Sequence, residues 1–202
     1  MPRFMPGFLL FAWTAAAGAA GDSRIDRFHN PLDVRLPDRA SIRHNGLYYL
    51  CGTGLARFVS ADLVNWRRQG EYFDPAGMGF QSGVWACELA EKDGAFYLYF
   101  SVQPPGWSER CICVFRADSP DQPFVPLALP MWKDEDGWID PHVFIDDDGA
   151  RYLFATNDNK KAHGGDARIY AARLAPDMVT LETTLTLCMA PSQPWERSWQ
   201  EG

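Results

Sequence analysis

Two aspartates and a tryptophan recur at matching places in a repeated pattern, and they are the side chains best equipped for chemistry. Asp38 lies 8 residues before the turn glycine Gly46, and Asp140 lies 9 before Gly149. Trp85 sits beside Ala86, which lies 8 before Gly94. Carboxylates gathered into one pocket can take and give protons. One period further on, the same pattern predicts another such position, and Glu201 lies 61 residues after Asp140. Asp38 and Asp140 are 102 residues apart in sequence, so a repeating architecture must bring them together.

The repeat supplies that architecture. Its units read Gly46-Leu47-Tyr48-Tyr49-Leu50, Gly94-Ala95-Phe96-Tyr97-Leu98 and Gly149-Ala150-Arg151-Tyr152-Leu153. Asn45, Asp93 and Asp148 stand directly before the glycines. Asn-Gly and Asp-Gly predict two-residue hairpin turns, because both central residues must tolerate positive φ. The aromatic and β-branched flanks suit pleated, half-buried strands. Turn glycines 48 and then 55 residues apart indicate one supersecondary unit repeated, with the period and strand content of β-propeller blades. First strands are expected at 39–43, 84–90 and 139–145, third strands at 56–60, 111–117 and 168–174. Fourth, outer strands are expected from Trp66, Phe124 and Leu181. In a propeller the first strands line the central channel, so Asp38, Trp85 and Asp140 converge on one axis.

The rest of the chain agrees with an all-β domain. Its 202 residues are 47% hydrophobic and 14% aromatic, with 8 Trp, 15 Pro and 17 Gly, enough for one sizeable core with many turns. A net charge of −7 argues against a nucleic-acid partner, which calls for a basic face. Residues 1–20 hold Arg3, an apolar stretch from Phe8 to Trp13 and small residues from Ala15, with several A-x-A sites. That reads as a signal peptide, leaving a domain over 21–202 that is secreted or periplasmic and has no membrane partner after cleavage. The five cysteines, Cys51, Cys87, Cys111, Cys113 and Cys188, show no zinc spacing and read as small buried hydrophobes. Cys111 and Cys113 should face the same side of one strand. The four histidines form no metal motif, and Asp146-Asp147-Asp148 reads as a hairpin tip, so no metal site is assigned.

Four segments in order resemble glycoside hydrolase family 43. They are 37–43 with Tyr48-Tyr49-Leu50 and the close Ser60-Ala61-Asp62-Leu63-Val64-Asn65-Trp66; Val84-Trp85-Ala86-Cys87-Glu88-Leu89; Trp138-Ile139-Asp140-Pro141-His142 through Gly149; and Trp199-Gln200-Glu201-Gly202. The resemblance covers residues 30–202. It implies a five-bladed β-propeller, of which this chain holds about three blades and the start of a fourth. It further implies inverting hydrolysis of O-glycosidic bonds in arabinose- or xylose-containing polysaccharides or oligosaccharides. By motif, Asp38 would be the general base, Glu201 the general acid, and Asp140 the carboxylate that orients the acid and raises its pKa. Trp85 would form a wall for the sugar, with His142 near the site. Calcium or another ion, found on the axis in some relatives, would take its ligands from outside this chain.

The chemistry is consistent with that resemblance. Inversion needs a base for water and an acid for the leaving oxygen, about 6.5–9.5 Å apart. A neighbouring ionised carboxylate raises the acid's pKa by like-charge repulsion. Two departures stand out: Arg39 follows the base aspartate and Cys87 replaces a second proline of the pattern. Asp33 is an alternative base in the same segment. A hydrolase of another sugar on the same propeller clan is one alternative, although the Asn-Asp-Pro-Asn start of fructan enzymes is absent. A non-catalytic carbohydrate-binding propeller is another. Three blades leave a propeller open at its edges, so the chain reads as the N-terminal part of a longer enzyme, expected to be poorly stable and weakly active or inactive alone.

Overall fold

The strands begin where the turn chemistry places them. In the computed structural model, residues 34–134, 136–159 and 166–198 are described; the proposed signal peptide, Asp33 and Glu201 lie outside the described residues. Asn45 and Gly46 have φ of 47° and 79°, and Asp93 and Gly94 have 52° and 76°. Both pairs therefore form the tight two-residue turn expected. The first joins β1 (Ala40–His44) to β2 (Leu47–Cys51) and the second joins β5 (Trp85–Lys92) to β6 (Ala95–Val102).

The third turn departs from the expectation. β9 (Trp138–Ile145) and β10 (Arg151–Asn157) are joined over a longer tip, with Ile145 opposite Arg151. Gly149 has φ 81° and donates its N–H to the Asp146 carbonyl at 2.8 Å, so only the glycine takes the left-handed conformation. Aspartates at 146 and 148 accept N–H groups of Asp147 and Ala150 at 2.8 and 2.7 Å. The Asp run caps its own tip, which is the commitment expected of Asx side chains in turns.

The remaining strands are β3 (Ala56–Ser60), β4 (Arg67–Glu71), β7 (Cys111–Ala117), β8 (Val125–Ala128), β11 (Arg168–Arg173) and β12 (Thr186–Met189). They complete three four-stranded antiparallel sheets in simple meander order, β1 to β4, β5 to β8 and β9 to β12. These are three consecutive propeller blades. The outer strand of the third begins later than expected, because Leu181 forms an isolated bridge with Leu174 before β12 starts. The inner strand β5 packs between β1 and β9.

Stacking of the blades makes the core. One apolar cluster joins Tyr49, Val59 and Tyr72 of the first blade to Phe96, Phe100 and Phe115 of the second. Another joins Tyr97, Tyr99 and Val114 of the second to Val143, Leu153 and Leu174 of the third. Strand β6 is buried along its whole length, as a strand covered on both faces must be. Cys51, Cys87, Cys111 and Cys113 are buried, and the Cys111 and Cys113 sulfurs lie 3.7 Å apart on one face of β7. Cys51 donates its thiol proton to the Cys87 carbonyl at 2.9 Å, tying β2 to β5.

Candidate active site

The same backbone irregularity occurs at the start of all three inner strands. In the second blade Trp85 faces Ser101 but Glu88 faces Tyr99, so the register slips by one. The third blade repeats it: Ile139 faces Thr156, and His142 faces Phe154. In the first blade Thr53 donates its N–H to the Pro37 carbonyl at 3.0 Å, whereas Ala40 faces Cys51. Each slip is a β-bulge, which bends the strand and re-aims a side chain. Pro141 falls inside one of them, where a missing N–H disturbs the ladder least.

The residue at each bulge is Asp38, Ala86 or Asp140, with φ of 52°, 44° and 52°. These are the three positions that the repeat superimposes. Left-handed φ costs a non-glycine residue about 1–2 kcal/mol, less for Asp, whose short polar side chain can bond locally. The bulge also explains a glycine opposite it. A Cβ on Gly52 would lie 2.4 Å from the Pro37 carbonyl oxygen, so no larger residue fits there.

A hydroxyl links the first two positions, and an arginine stacks beside the second. Asp38 is exposed and accepts the Thr53 hydroxyl proton at 2.6 Å. The same hydroxyl oxygen accepts the Ala86 N–H at 3.0 Å. Asp38 is thus oriented by the next blade's bulge through one side chain. On the other side of Trp85, Arg110 lays its guanidinium over the indole, 3.3 Å from the ring centroid. Arg110 Nη1 donates to the Gly83 carbonyl at 2.9 Å and the Ser101 carbonyl at 3.4 Å. Burial lowers the Arg110 pKa, and the charge of Asp140 opposes that. A cation stacked on Trp contributes about 0.5–2 kcal/mol, more as it loses water.

Glu88 and His142 occupy equivalent positions two residues past the bulges of the second and third blades. They form a pair, with His142 Nδ1 2.9 Å from Glu88 Oε1. Burial raises the Glu88 pKa, and the His142 charge and hydrogen bond partly reverse this. His142 is exposed while Glu88 is mostly covered, so Glu88 acts as a bridge between blades rather than as a solvated strand residue. A cavity of about 350 Å³ lies between the first and second blades, lined by Gly54, Leu55, Glu71, Phe80 and Val84 and by none of the candidate site side chains. Gly54 and Val84 in its lining are the chain neighbours of Thr53 and Trp85.

The structure therefore places Trp85, Asp140 and His142 on the adjacent inner strands β5 and β9, and Asp38 two residues before the neighbouring inner strand β1. Glu201 lies outside the described residues. Two residues at the site carried no role in the sequence reading. Thr53 stands between Gly52 and Gly54 just after β2, and its counterparts Ser101 and Thr156 also carry hydroxyls. That recurrence was a usable signal. Arg110 had none, since it belongs to a loop outside the repeat.

Comparison with known proteins agrees with this geometry. The family model for glycosyl hydrolases family 43 matches residues 28–202. An arabinoxylan arabinofuranohydrolase of Bacillus subtilis (strain 168) is 30% identical over 160 residues, spanning 65% of this chain and 30% of the relative. A xylosidase/arabinosidase 43A of Humicola insolens is 41% identical over 71 residues, 35% of this chain and 21% of the relative. Among solved structures, a thermostable family-43 glycoside hydrolase superimposes with a TM-score of 0.74 at 24% identity, covering 84% of this chain and 58% of the other. An endo-1,4-beta-xylanase from Bacteroides thetaiotaomicron gives 0.67 at 31% identity, covering 80% and 55%. The chain thus spans less than two thirds of these relatives' length. With its repeated blades and a family match over most of its residues, the chain belongs to glycosyl hydrolase family 43.

Proposed function

We propose that the chain carries the general base, general acid and supporting carboxylate of an inverting glycosidase that acts on arabinose- or xylose-containing polysaccharides and oligosaccharides. The observation that carries the reading is the repeated bulge, which presents Asp38, at the entry to β1, and Asp140, on β9, in one backbone conformation on either side of β5. Asp38 removes a proton from water, whose oxygen bonds to the anomeric carbon. Glu201 donates a proton to the leaving oxygen as the glycosidic bond breaks. Attack opposite the leaving group inverts the anomeric centre, and the separation of base and acid leaves room for the water. Asp140 orients Glu201 and keeps it protonated by like-charge repulsion. The free edge of Trp85 meets the sugar.

The substrate class is supported by the relatives, which are named for xylosidase, arabinofuranosidase, arabinase and xylanase activities. Export is supported by the leader-like residues 1–20 and by a relative, 29% identical over 70% of this chain, named an extracellular exo-alpha-(1->5)-L-arabinofuranosidase of Cellvibrio japonicus. Release of p-nitrophenol from the α-L-arabinofuranoside and the β-D-xyloside tests the reading, using the chain joined to sequence that closes its propeller. The expected result is turnover that Glu201→Gln abolishes, with the product anomer inverted by NMR. Turnover unchanged in Glu201→Gln contradicts it.

A further inference from the structure

Arg110 stands out because its surroundings use every property of a guanidinium. It comes from the loop before β7, is half-buried, and lies flat on Trp85. Two backbone carbonyls, of Gly83 and Ser101, fix it from below and behind the indole. Its own carbonyl accepts the Trp138 N–H at 3.0 Å, two residues before Asp140. One residue therefore touches the second blade through its side chain and the third through its backbone. Its cation also lies within the field of the Asp140 carboxylate.

We propose that Arg110 is a positioning residue, which fixes the Trp85 indole by stacking, is anchored by its backbone to β9 two residues before Asp140, and supports the Asp140 carboxylate with its positive charge. The inference rests on the role given to Asp140 above. Attraction between two charges is mutual, so the Asp140 charge that partly offsets the effect of burial on Arg110 is itself favoured by the guanidinium. Asp140 must be ionised to repel a proton-depleted acid, so Arg110 acts on the acid through Asp140. Stacking has a second consequence. The indole face under Arg110 is occupied, which leaves the opposite face and edge of Trp85 for a sugar. Among the described residues, the other titratable groups on the elements meeting here are Cys87, Glu88, Glu91 and Lys92 on β5, Cys111, Cys113 and Arg116 on β7, His142 on β9, Glu109 beside Arg110, and Asp134, Asp136 and Asp158 on loops flanking β9. Glu88 is engaged with His142, 2.9 Å away, and Arg110 is the cation stacked on Trp85.

Two substitutions in the completed enzyme separate its two jobs. Arg110→Gln keeps a planar polar group but removes the charge. The acidic limb of its kcat/KM profile is expected to move up by about one pH unit, the low end of the effect of an opposite charge on a carboxylate. Arg110→Lys keeps the charge but loses the planar stack. Its acidic limb stays in place while KM rises several-fold. Both variants are checked for parental melting behaviour. If Arg110→Gln does not fold, Arg110→Lys decides alone: raised KM with an unmoved limb supports the proposal, and parental kinetics overturns it. A folded Arg110→Gln with an unmoved limb also overturns it. Failure of the underlying reading looks different, because Asp140→Asn would then retain turnover whatever Arg110 does.

Discussion

The second blade and its two neighbours share one backbone device and differ in what stands on it. All three inner strands carry the bulge and the left-handed residue, yet that residue is Asp in the outer two and Ala in the middle one. Ala86 gains nothing electrostatic from the conformation, so the bulge belongs to the fold. It curves each inner strand and turns the bulged side chain out of the alternation. Where the chain needs a carboxylate, the device presents one. In the second blade Trp85, the preceding residue, is the exposed group instead. Backbone shape and chemistry are thus separable in this molecule, and substitutions can test each without the other.

The largest expected effect comes from removing chemistry while keeping shape. Asp38→Asn and Asp140→Asn in the completed enzyme should lower kcat by about 10²–10⁴-fold, the range for a lost acid–base contributor, with melting temperatures close to the parent. Steady-state kinetics with the two p-nitrophenyl glycosides measures it. Thr53→Val is next. It removes the bond to Asp38 and leaves the Ala86 N–H without its partner, costing about 1–3 kcal/mol and impairing turnover as well; urea denaturation and kinetics together read both losses. Tyr99→Phe affects stability alone. Its hydroxyl donates to the Met178 carbonyl at 2.6 Å across the second and third blades. Losing that buried bond should cost about 1–2 kcal/mol with kcat unchanged. Smallest is the acid dependence of the capped turns. Hydrogen bonds from Asn65 and Val64 hold the Asp62 carboxyl below its usual range, and those from Thr180 and Val179 do the same for Asp177 against the opposing effect of burial. A depressed folded-state pKa gives stability that is present above the unfolded value of about 3.9 and lost as pH falls through the folded one. Asp62→Ala and Asp177→Ala should therefore melt below the parent at neutral pH and converge with it in acid.

Those two turns also show how far the sequence could be read. Asp62-Leu63 and Asp177-Met178 have the same hydrogen bonds and the same left-handed second residue. Met178 is fully buried against the second blade, whereas Leu63 is 44% exposed. Local chemistry determines such a turn, so its place is legible from Asp and spacing. Its burial depends on which blade lies against it, and that is a long-range fact. The hairpins at Asn45-Gly46 and Asp93-Gly94 were legible for the same local reason. Asp148-Gly149 was misread because Asp146 and Asp148 compete for the N–H groups of the tip and favour a longer loop. The repeat located Asp38, Ala86 and Asp140, since equivalent strand positions share one backbone conformation. It missed Arg110, whose contact with Trp85 forms only when the second blade brings β5 and β7 into one sheet, and whose bond to Trp138 forms only when the third blade stacks on the second.

The most direct measurement exchanges each bulged residue for glycine, which relieves left-handed strain and removes the side chain. Asp38→Gly, Ala86→Gly and Asp140→Gly are compared for melting temperature and for turnover in the completed enzyme. The account predicts that all three melt no lower than the parent, with Ala86→Gly gaining up to about 1 kcal/mol. It predicts that only Ala86→Gly keeps turnover. Retained turnover in Asp38→Gly or Asp140→Gly, or its loss in a folded Ala86→Gly, would contradict it.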